Sequence, residues 1–259
     1  MRMKLRAKST AFFENFMALI VVHSSSVACV ATRAAPSVQA HRLAQRHNPS
    51  FAHHPPMPPI AVIDFETTGI SPGQGARATE VAIVLLEKGQ VVDRFQSLMK
   101  TGAWIPSFIT QLTGITNAMV STAPDAAGVM ADAARFVGDA PMVAHNASFD
   151  SKFWQAELGM AGLPAPQPFA CTVLLSRRLY PQAPSHKLGT LVDYHGLPRT
   201  GQAHRALADA EMAAALLARI QHDLRTQWRV TEPSYALLQA VQRCTKAAVP
   251  AMLARYALV

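Results

Sequence analysis

The stretch Ile60-Ala61-Val62-Ile63-Asp64-Phe65-Glu66-Thr67-Thr68-Gly69 constrains the fold more than any other part of the chain. Its apolar, β-branched start predicts a core strand, buried on both faces. Residues two apart in a strand point to the same face. Asp64 and Glu66 therefore stand side by side at the strand's end, and Phe65 turns the other way into the core. Two carboxylates beside a core strand are costly unless they are paired or hold a metal. No Lys or Arg lies within these ten residues to pair with them. Taken alone, the pattern fits either a divalent-metal site or an exposed acidic turn.

The elements that follow set the fold class. Turn formers Ser71-Pro72-Gly73-Gln74-Gly75 make a loop. Thr79 to Leu86 reads as a strand, Glu87-Lys88-Gly89-Gln90 as a hairpin turn, and Val91 to Met99 as the partner strand. A helix follows Pro106 and ends near Gly114. A second covers Ala123 to Val137 and stops at Gly138. Met142 to His145 is a short strand, and Ser148 to Leu158 a helix capped by Ser148 or Asn146. Phe169 to Val173 predicts a fifth strand and leads into a helix through Tyr180. Further helices cover Lys187 to Tyr194, Ala206 to Ile220 and Tyr235 to Ala248, the last broken by Pro250. Three antiparallel strands first, then strands alternating with helices, predict an α/β fold. Its mixed five-stranded sheet is covered by helices on both faces.

Charge separates residues 1–59 from the rest. They carry seven Lys or Arg against one acid, Glu14, or +6 of the chain's +8, and end in His53-His54-Pro55-Pro56-Met57-Pro58-Pro59. We expect a disordered basic leader there, or an upstream extension with Met57 as the true start. A targeting peptide and a basic nucleic-acid arm are the competing readings. The apolar run Phe16 to Val22 falls well short of the ~20 residues of a membrane span. Residues 60–222 are expected as one domain carrying little of the excess charge, and 223–259 as a helical C-terminal tail. Cys29, Cys171 and Cys244 are odd in number and form no C-x-x-C, which fits a reducing, cytoplasmic setting without a disulfide framework.

Two downstream stretches also carry chemistry. His145-Asn146-Ala147-Ser148-Phe149-Asp150 lies where a strand meets a helix, and His204-Arg205-Ala206-Leu207-Ala208-Asp209 opens the Ala-rich helix. Each has an ordinary explanation in isolation. Asp150 suits the first turn of a helix, Asp209 a solvated helix face, and His204 a surface or capping position. Together with Asp64-Phe65-Glu66-Thr67-Thr68-Gly69, however, they resemble in order the three motifs of the DEDDh 3′→5′ exonucleases. Leu112-Thr113-Gly114-Ile115-Thr116 and His186-Lys187-Leu188-Gly189-Thr190-Leu191 are similar to secondary segments of that family. The family is typified by the proofreading epsilon subunit of bacterial DNA polymerase III and has a ribonuclease H-like fold. The resemblance runs from about Ile60 to Ile220.

That resemblance implies a two-metal phosphodiester hydrolase using Mg²⁺ or Mn²⁺, hard cations that favour carboxylate oxygens. It implies that Asp64 bridges both ions and that Glu66 and Asp209 complete the site that activates water. Asp150 serves the second ion, directly or through waters. It makes His204 the general base, with a ring that titrates near neutrality. On one regular helix His204 and Asp209 lie about 140° apart, so His204 is expected on the loop before the helix. By position, Thr67, Thr68, Ile70, Asn146 and Phe149 contact the terminal nucleotide, with core packing as the competing role for Ile70 and Phe149. The implied partner is a single-stranded or frayed DNA 3′ end, with RNA ends as the alternative, a DNA polymerase as a further partner, and no membrane. A non-catalytic nucleic-acid-binding module is the third reading. Cys171 stands before Thr172, where the family often carries Asp.

Overall fold

The computed structural model describes residues 58–201 and 204–257. The expected leader, except for Pro58 and Pro59, lies outside the described residues, as does Cys29. Five strands form one sheet, β1 (Ile60–Thr67), β2 (Ala78–Glu87), β3 (Gln90–Leu98), β4 (Met142–Ala144) and β5 (Phe169–Cys171), in the order β3-β2-β1-β4-β5. β1, β2 and β3 are antiparallel neighbours, and β4 and β5 run parallel to β1. This is the expected ribonuclease H-like α/β architecture. The β2–β3 hairpin turns at Lys88 (φ 51°) and Gly89 (φ 82°), the paired positive φ values of a tight hairpin turn.

The period of two in β1 separates the core into two faces. Ile60 and Val62 point into one apolar cluster with Ala82, Val84 and Val143; Ala61, Ile63 and Phe65 point into the other with Val81, Ile83 and Met142. The short helices α1 (Ser107–Thr113) and α2 (Asn117–Ser121) lead into α3 (Ala126–Val137), and α4 (Ala147–Met160) follows β4. Val129 and Met130 of α3 and Phe153, Trp154 and Leu158 of α4 cover the Phe65 face. α5 (Thr172–Leu179), α6 (Leu188–Tyr194) and the long α7 (Ala206–Thr226) cover the Ile60 face. Asp64 and Glu66 share the parity of Ile60 and Val62, so they emerge beneath the start of α7. That parity is what lets an acid on α7 meet them.

Most predicted elements match to within a few residues, with three differences. α2 was not anticipated; the Thr116 hydroxyl caps it by accepting from the Met119 N–H (3.1 Å). α7 continues six residues past Ile220. The expected single helix from Tyr235 to Ala248 is instead α8 (Tyr235–Arg243) and, after a 3₁₀ turn, α9 (Val249–Leu253). Pro250 starts α9 rather than breaking a helix, because Pro is tolerated in a first turn where its missing N–H has no partner to lose.

Residues 223–257 pack into the same core as the rest of that face. Leu237, Leu238, Val241, Val249 and Leu253 join the cluster of α7. The Tyr235 hydroxyl reaches the carbonyls of Pro168 (2.7 Å) and Met142 (3.1 Å), and the Cys171 N–H donates to Gln242 Oε1 (2.7 Å). Leu238→Ala is therefore expected to destabilise the protein by about 2–5 kcal/mol, the usual cost of a large-to-small change in a packed core. Urea unfolding measures this, and a loss within error of zero would show that α8 is peripheral. Among the described residues no helix is long and apolar enough to cross a membrane.

Candidate active site

Strand β1 delivers the first two acids. Its antiparallel neighbour β2 places Ala82 opposite Asp64 and Glu80 opposite Glu66. From above, α7 contributes Asp209 in its first turns. Carboxylate oxygens of Asp64, Glu66 and Asp209 all lie within 4.8 Å of one another. Neither Asp64 nor Glu66 forms an ion pair or side-chain hydrogen bond with a described residue. Burial pushes the Asp64 carboxyl well above its ordinary pKa, and the charges of Asp150, Asp209, Glu66 and Glu80 add to this. Glu66 is raised in the same way, first by burial, then by Asp209 and Glu80. Burial also raises Asp209, although His204 and its backbone N–H work against the shift. Clustered and electrostatically unfavourable carboxylates, with Asp64 and Glu66 unpartnered among the described residues, are the donor set that a hard divalent cation stabilises.

Asp150 enters from the first turn of α4, almost fully buried. It is outside the trio of converging oxygens but near enough for its charge to raise Asp64. Burial pushes its own pKa up to about 8, against hydrogen bonds from its own backbone and that of Phe65. His204 sits on the loop before α7 with φ 62°, as the helix geometry required. Its backbone N–H donates to Asp209 Oδ2 (2.9 Å), so loop and acid are fixed to each other.

The other expected contacts divide into two kinds. Asn146 is exposed at the N-cap of α4 with φ 72°, and Ile70 is exposed beyond the strand end. Both are open to a ligand. Thr67, by contrast, is buried, and its hydroxyl donates to the Gly69 carbonyl (2.7 Å). The Thr68 hydroxyl accepts from the Arg77 N–H (3.0 Å), which leaves its own proton free to donate. Phe149 packs against Phe153, ring centroids 4.9 Å apart. His145 is structural. Its Nε2 lies 3.1 Å from the His186 carbonyl, which can only accept, so Nε2 carries the proton and Nδ1 accepts from Thr172 Oγ1 (2.9 Å). Burial holds its pKa down to about 4, so the ring is neutral.

Two buried glutamates escaped sequence reasoning. Glu80 accepts from Arg205 Nη2 (2.7 Å) and Nε (3.1 Å), the Ala206 N–H (3.1 Å) and Gln96 Nε2 (2.8 Å), and so holds the start of α7 to β2. Glu157 accepts from Arg77 Nη2 (2.9 Å) and Nε (3.0 Å) and from the Ala78 N–H (2.9 Å), tying the Thr68 turn to α4. For Glu80 the available signal was an acid near the start of a largely apolar strand, Ala78–Glu87.

A ribonuclease H-like sheet with these acids and a histidine gathered at the end of its central strand defines an exonuclease of the DEDDh class. Residues 61–217 match the exonuclease family model RNase_T, and the chain belongs to that family. Residues 61–217 are accordingly a 3′→5′ exonuclease domain, of a family that depends on divalent metal. The chain is 39% identical over 170 residues to the 3′-5′ exonuclease DinG of Bacillus subtilis, covering 64% of this chain but only 18% of that relative's length. It is 33% identical over 166 residues to the DNA polymerase III subunit epsilon of Aquifex aeolicus, covering 64% of this chain and 81% of that one. Among solved structures, exonuclease X in complex with 5′ overhanging duplex DNA superimposes with a TM-score of 0.56 and 28% identity, covering 71% of this chain and 99% of that one.

Proposed function

We propose that this chain is a metal-dependent 3′→5′ exonuclease that releases nucleoside monophosphates from single-stranded or frayed DNA ends, in a proofreading or repair role. The observation that carries the reading is the convergence of the Asp64, Glu66 and Asp209 oxygens within 4.8 Å. These three acids and Asp150 would hold two divalent cations, Mg²⁺ or Mn²⁺, since every donor is a hard carboxylate oxygen. Such ions supply Lewis-acid activation of water and stabilisation of the leaving 3′ oxygen. His204, on its loop, takes the proton of the attacking water as general base. The Thr68 hydroxyl and the backbone of the Thr67–Gly69 turn bind the terminal sugar and phosphate. Ile70 wedges beside the last base, Asn146 donates to phosphate or sugar, and Phe149 supports that wall. None of these contacts reads a base edge, so little sequence preference is expected. Likeness to the epsilon subunit supports association with a DNA polymerase. The free thiols of Cys171 and Cys244 support a reducing, cytoplasmic setting.

The test is degradation of matched 5′-labelled DNA and RNA oligonucleotides with Mg²⁺, with Mn²⁺ and with EDTA. Metal-dependent release of mononucleotides from the DNA strand is expected. Faster degradation of RNA would make the protein an exoribonuclease, and binding without release would leave a non-catalytic module. His204→Ala is expected to lower turnover by about 10²–10⁴, the range for losing a general base, with metal affinity kept. Isothermal titration with Mn²⁺ alongside single-turnover rates checks both parts, and an unchanged rate removes His204 from the mechanism.

A further inference from the structure

Residues 60–259 carry 17 basic and 15 acidic side chains, which suggests an almost neutral domain. The charge is nevertheless sharply segregated. Residues 158–192 and 233–259 contain no Asp or Glu, and they hold Arg177, Arg178, Lys187, Arg243, Lys246 and Arg255. The fold brings these two acid-free segments together beside the active-site edge.

The contacts are specific. Ser176 Oγ lies 3.0 Å from His186 Nδ1, and Arg178 Nε donates to the Cys244 carbonyl (2.8 Å). Arg177, exposed on α5, lies between these two ties. Lys187 follows His186, and Lys246 lies two residues past Cys244. Arg177 and Lys246 both act electrostatically on the His186 ring, with no acid among the influences that set its titration. The His186 carbonyl in turn receives the His145 Nε2 proton, and His145 precedes Asn146 at the mouth of the site. No side-chain hydrogen bond or ion pair engages Arg177, Lys187 or Lys246 among the described residues. Arg177 and Lys246, unpaired and both acting on one ring, repel each other, and Lys187 adds a third cation beside that ring in the chain; an anionic partner would relieve the cost.

We infer that Arg177, Lys187 and Lys246 form a cationic rail that holds the phosphates of a single strand on the 5′ side of its bound 3′ end. The inference rests on the exonuclease reading for the identity of the strand. It adds a contribution from Lys246, which lies beyond the residues 61–217 that the family model matches. Patch and site meet through the His145–His186 contact, so one extended strand can occupy both. Point charges on an exposed surface suit a flexible phosphate backbone and carry no base readout.

The experiment measures anisotropy of a 5′-fluorescein oligo-dT of about 20 nucleotides, titrated with the full chain in EDTA across a range of salt. Arg177→Ala/Lys246→Ala is compared with the wild type and with Arg135→Ala, which removes an exposed cation elsewhere. The double variant is expected to bind about tenfold more weakly at low salt, and its slope of log Kd against log salt to be shallower by about 1.4, or ~0.7 per lost phosphate contact. A Kd and slope equal to those of the wild type, or an equal loss in Arg135→Ala, overturns the rail. Mononucleotide release by the wild type with Mg²⁺ is scored separately. Its absence removes the exonuclease reading, while the binding comparison still decides whether the rail grips a strand.

Discussion

Asp64→Asn is expected to lower metal-dependent turnover by on the order of 10³–10⁵, because metal ions supply several kcal/mol of transition-state stabilisation and each 1.36 kcal/mol is tenfold. The substitution is nearly isosteric, so β1 should keep its register. What changes is the charge of the one acid that faces Glu66, Asp209 and Asp150 together. The same variant should be harder to unfold than the wild type in EDTA. Without metal, the folded state confines carboxylates whose pKa values are raised, first by burial and then by one another. The folded protein then holds protons that the unfolded chain releases, so this contribution destabilises increasingly as pH rises. For Asp150 the window runs from the ordinary carboxylate value, near 4, to about 8. Thermal melts in EDTA at neutral pH, paired with Mg²⁺-dependent rates, give both readouts. A variant that keeps its rate, or that melts earlier in EDTA, is incompatible with a metal site at Asp64.

The opposed signs of those two effects explain why part of the site was legible in the sequence. Acids that weaken the metal-free fold have to be spelled out in the local sequence, since a strand or helix must aim them. The Asp64/Glu66 parity, the strand-to-helix junction at Asp150 and the loop position of His204 are short-range geometry, set by spacings of two and five residues. The mixed five-stranded sheet, antiparallel first and parallel after, also followed from local signals, because a hairpin and two strand-helix units leave few ways to build one mixed sheet. Ion pairs spanning the fold have no such signature. Arg205 and Glu80 are 125 positions apart, and Arg77 and Glu157 are 80 apart. The Thr67 hydroxyl could be named as a substrate contact because its bond to the Gly69 carbonyl depends on the turn's exact shape. The acid-free segments were visible in the sequence, but their meeting at α5 depends on the tail packing into the core.

The clamp at Glu80 should be where this site fails most severely without losing a catalytic group. Glu80 is 1% exposed and faces Glu66 across β1 and β2, a like-charged pair that would repel if nothing intervened. Burial alone would raise its pKa. Hydrogen bonds from Arg205, the Ala206 N–H and Gln96 outweigh burial and hold it below the ordinary value, so it stays ionised. It thereby anchors the helix that carries Asp209 and the loop that carries His204. Glu80→Gln keeps the shape but removes Arg205's ion-pair partner, leaving only the weaker pull of Glu66 to oppose its charge. Losing one partner of a fully buried pair costs about 3–5 kcal/mol, and the Arg205 side chain is 31% exposed, so about 2–3 kcal/mol is expected. Because the folded pKa is depressed, the clamp's contribution is present at neutral pH and is lost on acidification below the usual carboxylate range. Turnover should fall about 10- to 100-fold, the usual effect of disturbing groups that orient metal ligands. Adding Arg205→Met should recover part of the stability, since an uncharged pair of similar size replaces an orphaned charge, but it should not restore the rate. Urea unfolding and single-turnover rates of both variants separate the two effects. A Glu80→Gln protein with wild-type stability and rate would mean that α7 is positioned by packing alone.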